Sequence, residues 1–205
     1  MISYAITVKD EIEEIKKLVD ALLQLKGEQD EIVIIRDSKN DNQDVKTYLA
    51  NQSGIKVFDF FFEDDFSKLK NFMNRCCSNP WIFNIDADEM PHETLLQNIH
   101  EILEQNNEID AIWVPRINIV NGITPEHITK WKWIVNERGW INWPHDAQCR
   151  IYKNTPDIYW HKPVHEQLTG SIRNISKLPD LEELSLYHIK DIERQERQNE
   201  FYSKI

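Results

Sequence analysis

Apolar positions along this chain alternate between two rhythms. Ile2 to Val8 is a short apolar run of strand character, after which Ile12, Ile15, Leu18, Val19, Leu22 and Leu23 recur at helical spacing. Asp10, with Glu13 three residues on, reads as a capping box opening that helix, and Gly27 is placed to close it. Glu31 to Ile35 returns to a buried-strand run that delivers Asp37 and Ser38 at its carboxyl end, and Lys39-Asn40-Asp41-Asn42 is turn chemistry. A short helix through Val45, Tyr48 and Leu49 closes near Gly54, and Ile55 to Phe62 is rich in β-formers. Asp65 is set to cap the next helix, whose apolar face is Phe66, Leu69, Phe72, Met73 and Cys76, leaving Lys68, Lys70, Asn71 and Arg75 to its surface. Trp81 to Ile85 is a fourth strand, and Pro91 stands where a helix buried through Leu95, Leu96, Ile99, Ile102 and Leu103 begins. This alternation predicts an α/β sheet, largely parallel, over residues 1–105.

The rhythm loosens after that. Ala111 to Val120 reads as a strand interrupted by Pro115, which places it at an edge or a bend. Asn121-Gly122 is a turn. Gln148 to Lys153 and Ile158 to Trp160 are short strand candidates flanking Asn154-Thr155-Pro156, and Leu184 to His188 reads as a last strand. Asp191 to Tyr202 is a charged helix whose Arg194 and Arg197 read as a solvated face.

Composition narrows the classes. A chain of 205 residues has the length of one domain, and 40% hydrophobic with 29% charged residues is the balance of a soluble globular protein. No apolar run reaches membrane-span length, and the N-terminus lacks a signal peptide's layout. Cys76, Cys77 and Cys149 show no C-x-x-C spacing, so the expectation is free thiols in a reducing, cytoplasmic setting. A net charge of −11 argues against nucleic acid as a partner.

The chemistry concentrates where the Trp81 strand ends. Asp86, Asp88 and Glu89 follow the apolar run directly, and a strand's period of two would put Asp86 and Asp88 on one face. Like charges that close call for a cation or water between them, and hard oxygen ligands suit Mg²⁺ or Mn²⁺ carried with a phosphate. The carboxyl ends of strands are also where open α/β sheets bind ligands. The plain alternative is an acidic strand-to-helix turn in which Glu89 and Glu93 favour the helix N-terminus. His165-Glu166 is followed by Gln167, Leu168 and Thr169, which excludes H-E-x-x-H zinc chemistry by spacing.

Taken in order, Thr7-Val8-Lys9-Asp10-Glu11, Asp37-Ser38 and Asp86-Ala87-Asp88-Glu89 resemble the strand ends of inverting family-2 glycosyltransferases with the GT-A fold. Asp65 to Phe72 resembles the "DF(A/S)xx(R/K)N" helix that precedes D-x-D in many members, with Lys70 where Arg is common. Asp146 to Tyr152 looks like their "DxQxRLF" element, Val164-His165-Glu166 like their "VHE", and His188 like their late histidine. The resemblance implies a Rossmann-like central sheet and transfer of a sugar from a nucleotide-diphosphate sugar to a saccharide or other hydroxyl acceptor. It implies that Thr7 and Asp37 meet the base or ribose, that Asp86 lies against ribose and metal, and that Asp88 and His188 hold Mn²⁺ or Mg²⁺. Lys70 and Arg150 would steady the departing diphosphate. Glu166 is the first candidate for the general base and Asp146 the second, unless Asp146 is occupied in holding Arg150. One domain is expected over residues 1–205: a nucleotide-sugar half to 105, an acceptor half to 190 and a C-terminal helix, together a minimal catalytic domain. Five of the seven tryptophans fall between Trp131 and Trp160; individually they read as core, with one or two at a cleft suiting a sugar face. The competing classes are a nucleotidyltransferase, which usually opens with a glycine-rich loop this chain lacks, and an inactive nucleotide-sugar-binding relative.

Overall fold

The computed structural model describes residues 1–39 and 41–202, so Asn40 of the predicted turn and residues 203–205 of the predicted C-terminal helix lie outside it. The predicted alternation is present: β1 (Ile2–Val8), α1 (Ile12–Leu25), β2 (Glu31–Asp37), α2 (Gln43–Ala50), β3 (Lys56–Phe60), α3 (Phe66–Cys76) and β4 (Trp81–Asp86). A three-residue β5 (Glu89–Pro91) precedes α4 (Glu93–Gln105). Strands β3, β2, β1 and β4 lie side by side in that order, all parallel. Both faces are covered, as a parallel sheet requires. Ile2, Tyr4 and Ile6 pack with Leu18, Leu22, Leu95 and Ile99, while Ala5, Val33 and Ile35 pack with Leu69, Met73 and Trp160.

The second half supplies β6 (Ala111–Asn121), α5 (Pro125–Trp131), β7 (Ala147–Lys153), β8 (Ile158–His161), β9 (Gln167–Gly170), β10 (Ile175–Lys177), β11 (Leu186–Asp191) and α6 (Ile192–Tyr202). β7 enters antiparallel between β4 and β6, and β10 and β11 pair parallel with β6. β5 closes the order β3-β2-β1-β4-β7-β6-β11-β5. Only Ala87 and Asp88 separate β4 from β5 in the chain, so the far edge of the sheet must curl back to meet β4. That curl brings positions 88 and 188 together.

Local expectations needed several corrections. The Asp10–Glu13 capping box does not form: Glu11 is the N-cap, and its carboxylate accepts the backbone N–H groups of Lys9 and Asp10. α1 closes on Lys26 rather than Gly27, whose N–H is held by Asp30. Pro91 ends β5, and His92 caps α4 by accepting the Thr94 N–H. Asp65 caps α3 as read, accepting from the Lys68 N–H at 3.0 Å. Pro115 lies inside the sheet, not at its edge. It falls where the parallel partner of β6 changes from β10, ending at Trp113, to β11, starting at Arg116, so its missing N–H sits between two ladders. Among the described residues no helix is long and apolar enough to cross a membrane.

Candidate active site

β4 stops at Asp86, so the period-two argument does not reach Asp88, and the two acids take different partners. Ala87 donates its N–H to the Thr7 carbonyl, which fixes the strand end beside half-buried Thr7. Asp86 is bound from below by Arg150 of β7, whose Nη2 donates to Asp86 Oδ2 and to Glu89 Oε1, each at 2.5 Å. Arg150 Nη1 reaches Asn84 Oδ1 at 3.3 Å, so the guanidinium is buried among three acceptors. Burial alone would raise the Asp86 carboxyl, but Arg150 and then Lys70 hold it well below the usual carboxylate range. Arg150 thus braces the acid that ends β4.

Glu89 is the residue that sequence reasoning misplaced. It caps no helix. It is 1% exposed, accepts the Asp86 N–H on Oε2, and takes both Arg150 and Arg116 Nη1 (3.2 Å) on Oε1. Arg116 and Asn118 were missed altogether, although polar residues two apart in an otherwise apolar strand are the signal for one wet face. Asn118 is in register with His188, and His188 with Glu89, so the three share a face of the curled sheet.

Asp146 is held by Arg116, not by Arg150. Arg116 donates to Asp146 Oδ2 through Nε at 3.0 Å and Nη2 at 2.8 Å, Asn118 donates to the same oxygen, and Gln148 donates to Oδ1 at 2.8 Å. Burial pushes the Asp146 carboxyl up, yet Arg116 and these amides bring it below its ordinary value. Since the Asn118 amide nitrogen faces Asp146, its oxygen faces His188 and accepts the Nδ1–H at 2.8 Å. His188 Nε2 then points at Asp88 Oδ2, 3.2 Å away.

These two atoms fit a divalent cation. Neighbouring ligands of an octahedral ion with bonds of about 2.1 Å lie roughly 3 Å apart, close to the separation seen, and the Asn118 contact leaves the Nε2 lone pair for the metal. No group of three His, Cys, Asp or Glu residues suited to a metal occurs among the described residues. The fit is therefore to an ion that draws its remaining ligands from water and phosphate, as Mg²⁺ and Mn²⁺ do. Asp88 also carries Arg194 at 3.2 Å and buried Lys190 at 3.9 Å. Burial pushes the Asp88 carboxyl up, while a proton on His188 Nε2 when no metal is bound, and then Lys190 and Arg194, pull it down. Arg194 is thus not on a solvated helix face, whereas Arg197 is exposed.

Lys70 corrects a second surface assignment. Asn71 clamps β8 onto α3, donating to the Trp160 carbonyl and accepting its N–H, both at 2.8 Å. Lys70 is roofed by that strand: 5% exposed, its Nζ lies 4.5 Å from the Trp160 ring centre and 2.5 Å from Glu166 Oε1. Glu166 sits in the β8–β9 connection, which is tied to α3 where the Phe66 N–H meets the Pro163 carbonyl. Asp37 is 6% exposed, and its Oδ1 accepts the Lys39 N–H at 2.8 Å, giving it a turn-forming role at the end of β2. Of the five clustered tryptophans, Trp140 and Trp160 are buried, while Trp131, Trp133 and Trp143 are half-buried.

A parallel sheet whose central strand ends in acids, extended by an antiparallel strand and curled back on itself, defines a GT-A glycosyltransferase fold. The model for "Glycosyl transferase family 2" matches residues 3–161, and the chain belongs to that family. The fold is shared with TarS of S. aureus. Its 1–349 fragment in complex with UDP superposes with a TM-score of 0.62 at 14% identity, covering 92% of this chain and 60% of that one. The same fragment in complex with UDP-GlcNAc gives a TM-score of 0.61 at 15% identity, covering 92% and 58%. A TPR repeat-containing protein of Synechococcus elongatus is 24% identical over 171 residues, 83% of this chain but 36% of the relative. This chain therefore spans only part of the length of each.

Proposed function

We propose that this chain transfers a sugar, with inversion, from a nucleoside-diphosphate sugar to a hydroxyl acceptor, with a divalent cation held at Asp88 and His188. The observation that carries the reading is the Asp88–His188 pair, whose spacing and ring orientation suit a cation that a diphosphate would complete. When bound, the cation would neutralise charge that develops on the departing diphosphate. A nitrogen beside a carboxylate favours Mn²⁺ over Mg²⁺, which takes oxygen almost exclusively. TarS in complex with UDP and UDP-GlcNAc supports a uridine-linked donor. Thr7 and Asp37, at the ends of β1 and β2, are the nucleotide end of the site.

Lys70 is, after Arg150, the cation that holds the Asp86 carboxyl down, and it comes from α3 outside the sheet, so it is suited to meet a donor phosphate. Glu166 remains the base of choice. Asp146 has both oxygens engaged by four donors from Arg116, Asn118 and Gln148, whereas Glu166 meets the single cation Lys70 through Oε1. A donor phosphate that draws Lys70 away would leave the Glu166 carboxylate ready to take the acceptor's proton. Calorimetry of UDP binding with Mn²⁺ and with EDTA tests the reading. UDP should bind more tightly with Mn²⁺, and Asp88→Ala should remove that difference while the protein stays folded. Equal affinity in EDTA and Mn²⁺ would refute the cation's role.

A further inference from the structure

Arg194 stands in the first turn of α6, a helix that the sequence presents as solvent-exposed. Its Nη2 lies 3.2 Å from Asp88 Oδ2 and 2.9 Å from Glu11 Oε1, and its Nη1 lies 3.1 Å from Glu14 Oε1. The Asp88 oxygen it meets is the one that faces His188 Nε2. A cation bound between Nε2 and Oδ2 and a guanidinium bound to Oδ2 would compete for the same lone pairs. They would also repel each other at a distance of a few ångströms in a half-buried site. Glu11 and Glu14, both from the start of α1, give the guanidinium somewhere to stay once it releases Asp88.

We infer that Arg194 is a resident counter-ion of the cation site, which neutralises Asp88 until a divalent cation displaces it. The inference rests on the reading that the cation binds at Asp88 and His188. It has two consequences. Arg194 sets the cation affinity by competition, because the free energy spent in breaking its contact is subtracted from binding. By reciprocity, the cation must weaken the docking of the first turn of α6 as much as that docking weakens the cation. Lys190, on β11 just before α6, is 3.9 Å from the same oxygen and tied to Gln198 of α6, so the helix and the site share more than one charged contact.

The test is Mn²⁺ titration of the full chain, without nucleotide, for the wild type, Arg194→Gln and Asp88→Asn, with hydrogen exchange of α6 followed in parallel. Arg194→Gln should bind Mn²⁺ about five- to tenfold more tightly than the wild type, the lower range of ordinary coupling. In the wild type, Mn²⁺ should speed amide exchange in α6, and in Asp88→Asn it should change nothing. If the wild type binds Mn²⁺ and Arg194→Gln binds it equally or more weakly, the competition is refuted while the cation site stands. Unchanged α6 exchange in a wild type saturated with Mn²⁺ refutes it as well, even if the variant fails to fold. If neither the wild type nor Arg194→Gln binds Mn²⁺, the cation site falls and the inference with it.

Discussion

At the scale of single residues, the D-x-D element divides its labour. Asp86 shares a buried arginine with its neighbour Glu89, and Asp88 faces His188, Lys190 and Arg194. Removing Arg150 would strip the Asp86 carboxylate of its ion pair and leave buried Glu89 to Arg116 alone, so Arg150→Met should destabilise the protein by about 3–5 kcal/mol. The check is the denaturant midpoint, and a change under about 1 kcal/mol, the scale of an exposed ion pair, would contradict the brace. Glu166→Gln should preserve UDP binding and lower turnover by about 10²–10⁴-fold, as loss of a general base does. Asp146→Asn should act chiefly through Arg116 and Asn118, loosening the His188 ring and with it Mn²⁺ binding. If Asp146→Asn abolishes turnover with donor affinity intact and Glu166→Gln stays active, the two roles exchange. That Asp86 and Asp88 fall at a strand end was legible in the apolar run before them, and the meeting of Asp88 with His188 was anticipated only through the family resemblance. Glu89, Arg116 and Asn118 were not, because their meeting depends on a register between strands far apart in the chain.

At the scale of elements, the hydrophobic pattern located the parallel strands and their helices, and missed what tertiary contacts decide. Lys70 and Arg194 were given to solvent because a helix's polar face says nothing of the strand or loop that later lies on it. β5 and β9 are too short for any periodicity to reveal. One carboxylate ties four neighbours at the opposite end of the sheet. Glu31 of β2 accepts from Ser3 of β1, from Lys56 of β3 at 2.6 Å, from the Ser78 hydroxyl before β4 at 2.8 Å and from the Asn79 N–H at 3.3 Å. Burial would raise its carboxyl, but the Lys56 ammonium and the serine donors outweigh burial and bring it to about 2. A depressed folded-state value means that this stability is fully present above the unfolded value near 4.5 and lost as pH falls from there toward 2. Glu31→Gln should therefore lower the melting temperature at pH 6 and flatten its fall between pH 4.5 and 2.5; parallel curves for the two proteins would remove Glu31 from the acid transition. Gly170 makes the β8–β9 hairpin possible, with φ +102° and room for no Cβ, which would lie 1.8 Å from the Asp157 carbonyl oxygen. Gly170→Ala should cost more than about 1 kcal/mol and disturb the connection that carries Glu166. A variant with unchanged melting temperature and turnover would show that the hairpin does not position that residue.

At the scale of the whole molecule, the first half could be read as α/β because strand and helix alternate along the chain, each with its own hydrophobic period. The second half could not, since β7 inserts antiparallel and the sheet curls to return β5 beside β4. A chain with net charge −11 would also meet the proposed nucleoside-diphosphate donor across a repulsive field. Screening should then speed the encounter, so the association rate of UDP at fixed Mn²⁺ is expected to rise with salt up to physiological strength. A falling rate in stopped-flow would mean that Lys70, Lys190 and Arg194 govern the approach instead. The unequal partners of the two aspartates also bear on descent. On the proposed reading, a lineage that ceased to transfer sugar would be free to drift at position 88, where only the cation would be lost, while selection for a folded chain would still hold position 86 against Arg150. Among descendants, a vanished second aspartate beside a kept first one would mark a retired enzyme that still folds, and the reverse pattern should be scarce.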